Sequence, residues 1–314
     1  MSSPAGKSKR WRIYYPTKTR QCFCRKLILT TLAAEKFSAL KKINITKASG
    51  ELAPFSLKKL RKSLRKAGAA PDVINQIVAG IEREVYPGMG TGEIYDRAFQ
   101  MLREHSTHLA ARYKLKKAIM ELGPSGYPFE EFIGALLYRQ RFDVRVGAIA
   151  QGRCVNHEID VMATRSAEKI MVECKYHNQS GFLCDVKIPL YVHARFQDVA
   201  AGMSDKGQNS RFEGWVVTNT RFSDDAIRFG ECAGLKLVGW DYPARGSLRE
   251  MIDKQKLYPL TCLTTLTERE KSLLLGQNMV LCTDLMDRED MLQRIRIGSE
   301  RIPGILKECR NLCE

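Results

Sequence analysis

The stretch His157–Lys175, HEIDVMATRSAEKIMVECK, alternates apolar and polar residues twice, with a polar interruption between the two runs. From His157 to Thr164, Ile159, Val161 and Ala163 fall on one face and Glu158, Asp160 and Met162 on the other, the period of a half-buried strand. From Ile170 to Tyr176 the same period sets Glu173 and Lys175 opposite Ile170, Val172 and Cys174. A hairpin turning through Arg165–Lys169 would bring Asp160, Glu173 and Lys175 to one side of a sheet. Two carboxylates and an ammonium gathered there cost too much to be ordinary core. They suit a divalent cation, Mg²⁺ or Mn²⁺, with Asp160 and Glu173 as hard oxygen ligands and Lys175 stabilising charge in hydrolysis.

At 314 residues the chain is expected to form two or three domains. No apolar run approaches the roughly eighteen residues of a membrane span, so a soluble, cytoplasmic protein with no membrane partner is expected. The net charge of +16 resides entirely in residues 1–66, where 18 Lys and Arg face only Glu35 and Glu51. The remaining 33 basic residues are balanced by 33 acids. A surface that seeks polyanions should therefore be N-terminal. Ten cysteines without any Cys-x2-Cys spacing read as reduced thiols rather than zinc ligands or disulfides.

Residues 1–42 are basic and aperiodic, and read as a disordered tail in preference to a targeting segment. Residues 43–122 form a compact unit. Ile45-Thr46-Lys47 with Gly50 reads as a strand into a turn, and Ser56 as the N-cap of a helix over 57–67. Pro71 opens a second helix with Val73, Ile77, Ile81 and Val85 on one face. Thr91 reads as the N-cap of a third helix, and residues 108–122 as a fourth.

The phrases ITKASGELAPFSLKKL, EVYPGMGTGEIYD and AARYKLKKAI, in that order, closely resemble the ATP cone, the nucleotide-binding regulatory module of ribonucleotide reductases and of a repressor of their genes. The resemblance implies ATP or dATP as a regulatory ligand. By position it implies that Lys47, Lys59 and Thr91 bind it. Ala48 and Ser49 depart from the family's Arg and acidic or amide residue.

Gly123-Pro124-Ser125-Gly126 marks a linker, 123–126, before a second unit over 127–250. A helix over 129–141 with Phe129, Phe132, Ile133, Leu136 and Leu137 on its apolar face precedes the strand 142–150 and the hairpin. A helix over about 186–202, a strand over 213–220, a helix over 224–233 capped by Ser223 and a strand over 235–240 follow. The Asp-x12-Glu-x-Lys spacing in this setting resembles the PD-(D/E)xK nucleases. The wording HEIDV…MVECKYH and VVTNTRFSDDAIRFGECAGLKLVGWD is similar to the Mrr-type restriction endonuclease domain. That resemblance implies a restriction-endonuclease-like fold, a mixed sheet flanked by helices in an α/β class. It also implies that Asp160, Glu173 and Lys175 are catalytic and that Glu130, after Phe129, reaches the metal. An acid in a first helical turn serves the helix dipole equally well, and the residues alone leave Glu130 open.

Residues 259–314 read as short helices, either holding DNA backbone or packing and dimerising. A homodimer stays open. His105 and His108 lack metal partners; His157 and His177 flank the carboxylate strands and could touch substrate phosphate, but read as satisfied structural groups, and all four stay outside the site. There is no Walker loop and no Ser or Cys nucleophile phrase. The expectation is a nucleotide-regulated, Mg²⁺-dependent DNA endonuclease of the Mrr, type IV restriction kind, plausible as a defence enzyme. The alternative is a non-cleaving, ATP- or dATP-sensing DNA-binding regulator.

Overall fold

The computed structural model describes residues 43–314 apart from Ala48, Ser180 and residues 206–210. The basic segment 1–42 and its expected disorder lie outside the described residues. The cone opens with a hairpin of β1 (Asn44–Thr46) and β2 (Leu52–Pro54), turned at Gly50, whose φ of 81° suits glycine. Helices α1 (Leu57–Lys66), α2 (Pro71–Glu84), α3 (Thr91–His105) and α4 (Thr107–Met120) follow. Ser56 caps α1 by accepting from the Lys59 amide, as its position predicts.

Two expectations shift. The buried stripe of α2 is Ile74, Ile77, Val78 and Ile81, with Val73 and Val85 half-buried at its margin. Thr91 is not an N-cap: Gly90 takes that place and Thr91 is the first helical residue. The bridge between Gly90 and Thr46 holds Gly90 in extended backbone, so the helix begins one residue earlier than a Thr91 cap would allow.

The second unit consists of α5 (Tyr127–Tyr138), β3 (Asp143–Gln151), β4 (Asn156–Arg165), β5 (Glu168–Lys175), β6 (Leu183–Cys184), α6 (Lys187–Asp205), β7 (Arg211–Thr218), β8 (Arg221–Phe222), α7 (Asp224–Cys232), β9 (Lys236–Val238) and α8 (Leu248–Gln255). Strand order in the five-stranded sheet is β3-β4-β5-β7-β9. The first three strands pair antiparallel, and β7 and β9 continue parallel to β5. The hairpin is tighter than expected: Arg165 pairs with Glu168, so the turn is Ser166-Ala167, with Ser166 at a φ of 54°.

Helices cover both faces of the sheet. Val161, Ile170, Val172 and Val217 pack on Phe129, Phe132 and Ile133 of α5. Met171, Val216 and Leu237 pack on Val192, Phe196 and Val199 of α6 and Ala226 of α7. The molecule is thus an α/β protein with a mixed, helix-flanked sheet, a mostly helical cone before it and a small helical region after it.

That last region holds α9 (Glu268–Leu275), α10 (Cys282–Asp287), α11 (Asp290–Arg294) and α12 (Ile302–Cys313), with Thr267 and Glu270 forming a capping box. It shares its core with the sheet: Leu260, Leu285 and Ile305 cluster with α5 residues and with Leu115 and Ile119 of α4. Helix α8 was not anticipated from the sequence. Among the described residues no helix is long and apolar enough to cross a membrane, and the described cysteines are free.

Candidate active site

Strands β4 and β5 are paired only as far as Val161 opposite Val172. Past that pair they part, and the amide of Cys174 turns to a side chain: Asp160 Oδ2 accepts from it at 2.6 Å. Asp160 is thereby locked against β5 by the backbone group that the ladder leaves over. One residue earlier, Glu173 is only 4% exposed. Lys175 donates to its Oε1 at 2.5 Å and Arg195 to its Oε2 at 2.5 Å. The alternation of β5 puts Glu173 on the side of Met171, the face covered by α6, and Arg195 sits on α6 beside the buried Phe196. The Arg195 guanidinium also donates to the Glu158 carbonyl and lies 5.2 Å from the Tyr191 ring centroid. One arginine thus ties the buried glutamate to β4 and to its own helix.

The carboxylates repel one another. Burial pushes Asp160 up from the usual carboxylate range, and the charge of Glu173 adds to this against the pull of the Cys174 amide, Lys175 and Arg195. Glu130, in the first turn of α5, is pushed up to about 7, by burial first and then by Asp160, Glu158 and Glu173. A helix N-terminus alone would move it the other way. Glu130 therefore stands within the field of the same acids. Burial pulls the Lys175 ammonium down, but the hydrogen bond and charge of Glu173, with Asp160, outweigh it and raise the lysine overall. Lys175 stays charged at any physiological pH.

The nuclease fold implies a divalent metal. Among the described residues no group of three or more His, Cys, Asp or Glu is drawn together as a ligand cluster. Two acids and a third with a raised pKa still fit Mg²⁺ in kind, since that ion is commonly held by one or two carboxylates, the rest of its shell being water and substrate phosphate. Glu173 is the constraint: both of its oxygens are engaged by Lys175 and Arg195.

Of the cone residues, Lys47 and Thr91 each directly follow one of the two residues of the isolated parallel bridge of Thr46 with Gly90. Lys47 pairs with Glu51 at 2.8 Å across the hairpin turn. Lys59 lines a cleft between α1 and the second unit, with Lys62 and Lys66 on its own side and Asp241, Glu250 and Asp253 on the other. His157 and His177 are held by neighbouring side chains. His157 bonds Asp198 at 2.8 Å, and the His177 backbone is gripped on both sides by Asn219. Arg195 is the residue the sequence reading missed. Its only signal is a basic side chain directly before an apolar position in the stripe Val192, Phe196, Val199.

Family models match three stretches: an ATP cone domain over 43–118, a restriction endonuclease domain over 123–242 and an AF1548-like C-terminal domain over 258–313. An uncharacterized protein of Archaeoglobus fulgidus is 32% identical over 178 residues, which is 56% of this chain and 97% of that protein. The chain belongs to the AF1548-like family. The crystal structure of AF1548, a protein of unknown function, is 30% identical, with 60% of this chain and 98% of that one covered and a TM-score of 0.49. Can2 from Sulfobacillus thermosulfidooxidans, in complex with cyclic tetra-adenylate, matches at 12% identity, 65% and 64% coverage and a TM-score of 0.29. Within the family this chain carries an ATP cone and a restriction endonuclease-like domain together, which makes it a nucleotide-regulated, nuclease-like protein.

Proposed function

We propose that the chain is a metal-dependent DNA endonuclease that hydrolyses phosphodiester bonds under the control of ATP or dATP. The observation that carries the reading is the buried Glu173 held by Lys175, beside an Asp160 locked to the strand by the Cys174 amide. A purely binding surface has no use for clustered carboxylates beside phosphates, because they would repel the ligand.

In this reading Asp160 and Glu173 hold the metal and Glu130 stands at its margin. Bound Mg²⁺ or Mn²⁺ would supply Lewis-acid polarisation of the scissile phosphate. Lys175, kept protonated by Glu173, faces the negative charge that develops on the phosphate oxygens. Glu173 aims that ammonium, and the Cys174 amide keeps Asp160 from swinging away. Glu130, its pKa pushed up to about 7, would give up its proton more readily beside a bound cation. Lys47, Lys59 and Thr91 serve the nucleotide phosphates in the cone.

A second reading is a non-cleaving, nucleotide-sensing DNA-binding regulator. It is favoured by one observation, the double engagement of Glu173 by Lys175 and Arg195. The two separate when purified full-length protein is incubated with methylated and unmethylated plasmid and phage DNA, in Mg²⁺, with and without ATP or dATP. Metal-dependent strand breaks support the enzyme. Retarded but intact DNA under every condition supports the regulator.

A further inference from the structure

Tyr176, the residue after Lys175, is the point where the cone meets the catalytic strand. Its hydroxyl donates to the Met120 carbonyl at 2.5 Å and accepts from the Gly123 amide at 3.0 Å. Its ring packs on Phe129 at 5.7 Å between centroids, next door to Glu130. Met120 ends α4, and its carbonyl is one of the helix's last four, which have no intrahelical donor. Gly123 begins the connection to α5 and has no room for a side chain: a Cβ there would stand 2.7 Å from Tyr176 Cε1 and 2.5 Å from the Ser125 carbonyl. The segment 123–126, a plain linker in the sequence, is built around one tyrosine.

Helix α4 belongs to two cores at once. Ala110 packs in the cone, whereas Leu115, Ala118 and Ile119 pack with the sheet helices and the C-terminal region. Any rotation or axial shift of α4 that answers to the cone therefore reaches Met120, and the Tyr176 hydroxyl rides on Met120. On one side of Tyr176 lies Lys175, with its ammonium on Glu173. On the other lies His177, pinned by Asn219 at 2.9 and 2.7 Å. The Lys175 carbonyl is held as well, accepting from Thr218 Oγ1 at 2.7 Å, so with the backbone fixed on both sides a displacement at Tyr176 acts on the aim of the Lys175 side chain.

We propose that Tyr176 is a positioning residue that couples occupancy of the ATP cone to the placement of Lys175 and Glu173. This rests on the reading of the chain as a nucleotide-regulated nuclease and names the contact through which the regulation runs. The coupling requires α4 to have two arrangements that the nucleotide and the catalytic strand both bias. Whether nucleotide activates or inhibits follows from which arrangement it prefers.

The test uses the full chain and two variants that each remove one hydroxyl bonded to a carbonyl of α4. Tyr176→Phe loses the bonds to Met120 and Gly123 and keeps the ring. Thr261→Val loses the bond to the Ala118 carbonyl, 2.7 Å long, on the same helix but away from β5. Hydrogen exchange of amides 171–177 and DNA cleavage are each measured with and without saturating ATP, and ATP affinity by calorimetry. In the parent and in Thr261→Val, ATP is expected to change both readouts by about fivefold or more, the lower end of usual coupling. Tyr176→Phe is expected to bind ATP as the parent does, yet to show the same cleavage rate and the same exchange at 171–177 with and without ATP. A merely structural tyrosine would slow cleavage equally in both states and leave the ratio unchanged, which overturns the proposal, as does equal loss in both variants. A parent that binds ATP without any change at 171–177 or in cleavage also overturns it, while the cone's binding role stands. A parent that binds no ATP removes the nucleotide reading itself, and the coupling with it.

Discussion

Glu173 and Lys47 each make an ion pair of similar length, 2.5 Å to Lys175 and 2.8 Å to Glu51, yet the two bonds weigh very differently. The Glu173 side chain is 5% exposed and bound by two cations, whereas Lys47 and Glu51 are 42% and 66% exposed. Taking a carboxylate out of water costs several kcal/mol before any partner offsets it, roughly, so a chain keeps one buried only where something is gained. An exposed pair contributes about 0–1 kcal/mol and marks nothing. Charge buried on β5 is therefore evidence by its placement, while charge in the cone acquires meaning only from the resemblance and a bound nucleotide.

Arg195→Ala sharpens that contrast most. It leaves the buried Glu173 with one partner, so stability should drop by about 3 kcal/mol in urea denaturation, the lower end for breaking a buried pair. The same variant should bind Mg²⁺ more tightly in calorimetry, because a Glu173 oxygen is released. Unchanged stability would place the pair with the inert surface bridges.

Next in size is Lys175→Ala, expected to bind DNA and Mg²⁺ nearly as the parent does but to cleave about a hundredfold more slowly, the pattern of a group acting on transition-state charge. Equal losses in binding and turnover would make Lys175 a ligand-holding residue instead. In the cone, Lys47→Ala and Lys59→Ala should each weaken ATP or dATP binding by about 2 kcal/mol, the worth of a charge-assisted bond to phosphate, with little change in melting temperature. A melting temperature that falls without loss of affinity would reverse the contrast drawn between the two regions.

The smallest effect concerns Glu130 and pH. Its folded pKa, about 7, lies above the ordinary carboxylate value, so its favourable contribution is complete at low pH and is lost as pH rises toward and through 7. In metal-free buffer Glu130→Gln, fixed in the neutral form, should melt slightly higher than the parent at pH 8 and equally at pH 4. Added Mg²⁺ should erase the difference in the parent's disfavour at pH 8, since the cation offsets the repulsion. A Glu130→Gln protein that melts lower at pH 8 would return Glu130 to the helix-dipole reading.

Asp160, Glu173 and Lys175 were legible because strand alternation is local: a period of two fixes which side chains share a face. The mixed sheet followed from the family resemblance, and period marked only its longer strands and helices; the two-residue β6 and β8 are too short to show one. Arg195 was not, because it lies 22 residues beyond Glu173 on a helix whose stripe says which face is buried but not which strand it meets. Tyr176 was hidden by a separation of 56 residues from Met120. Thr91 was misplaced by one position because the Thr46–Gly90 bridge, a tertiary contact, set the start of α3. The shared core of α4 could not be read from a helix whose two buried faces blur its amphipathic pattern.

The central claim is that the acids beside Lys175 make a metal-dependent catalytic centre. Its most direct test is cleavage of plasmid and phage DNA by the parent in Mg²⁺ and in EDTA, and by Asp160→Ala and Glu173→Ala in Mg²⁺. Breaks made by the parent in Mg²⁺ alone, with both variants inactive and deficient in Mg²⁺ binding, are the predicted result. Cleavage that persists in EDTA, or variants that cut as the parent does, would contradict it and leave the Asp160, Glu173 and Lys175 cluster as part of a binding surface.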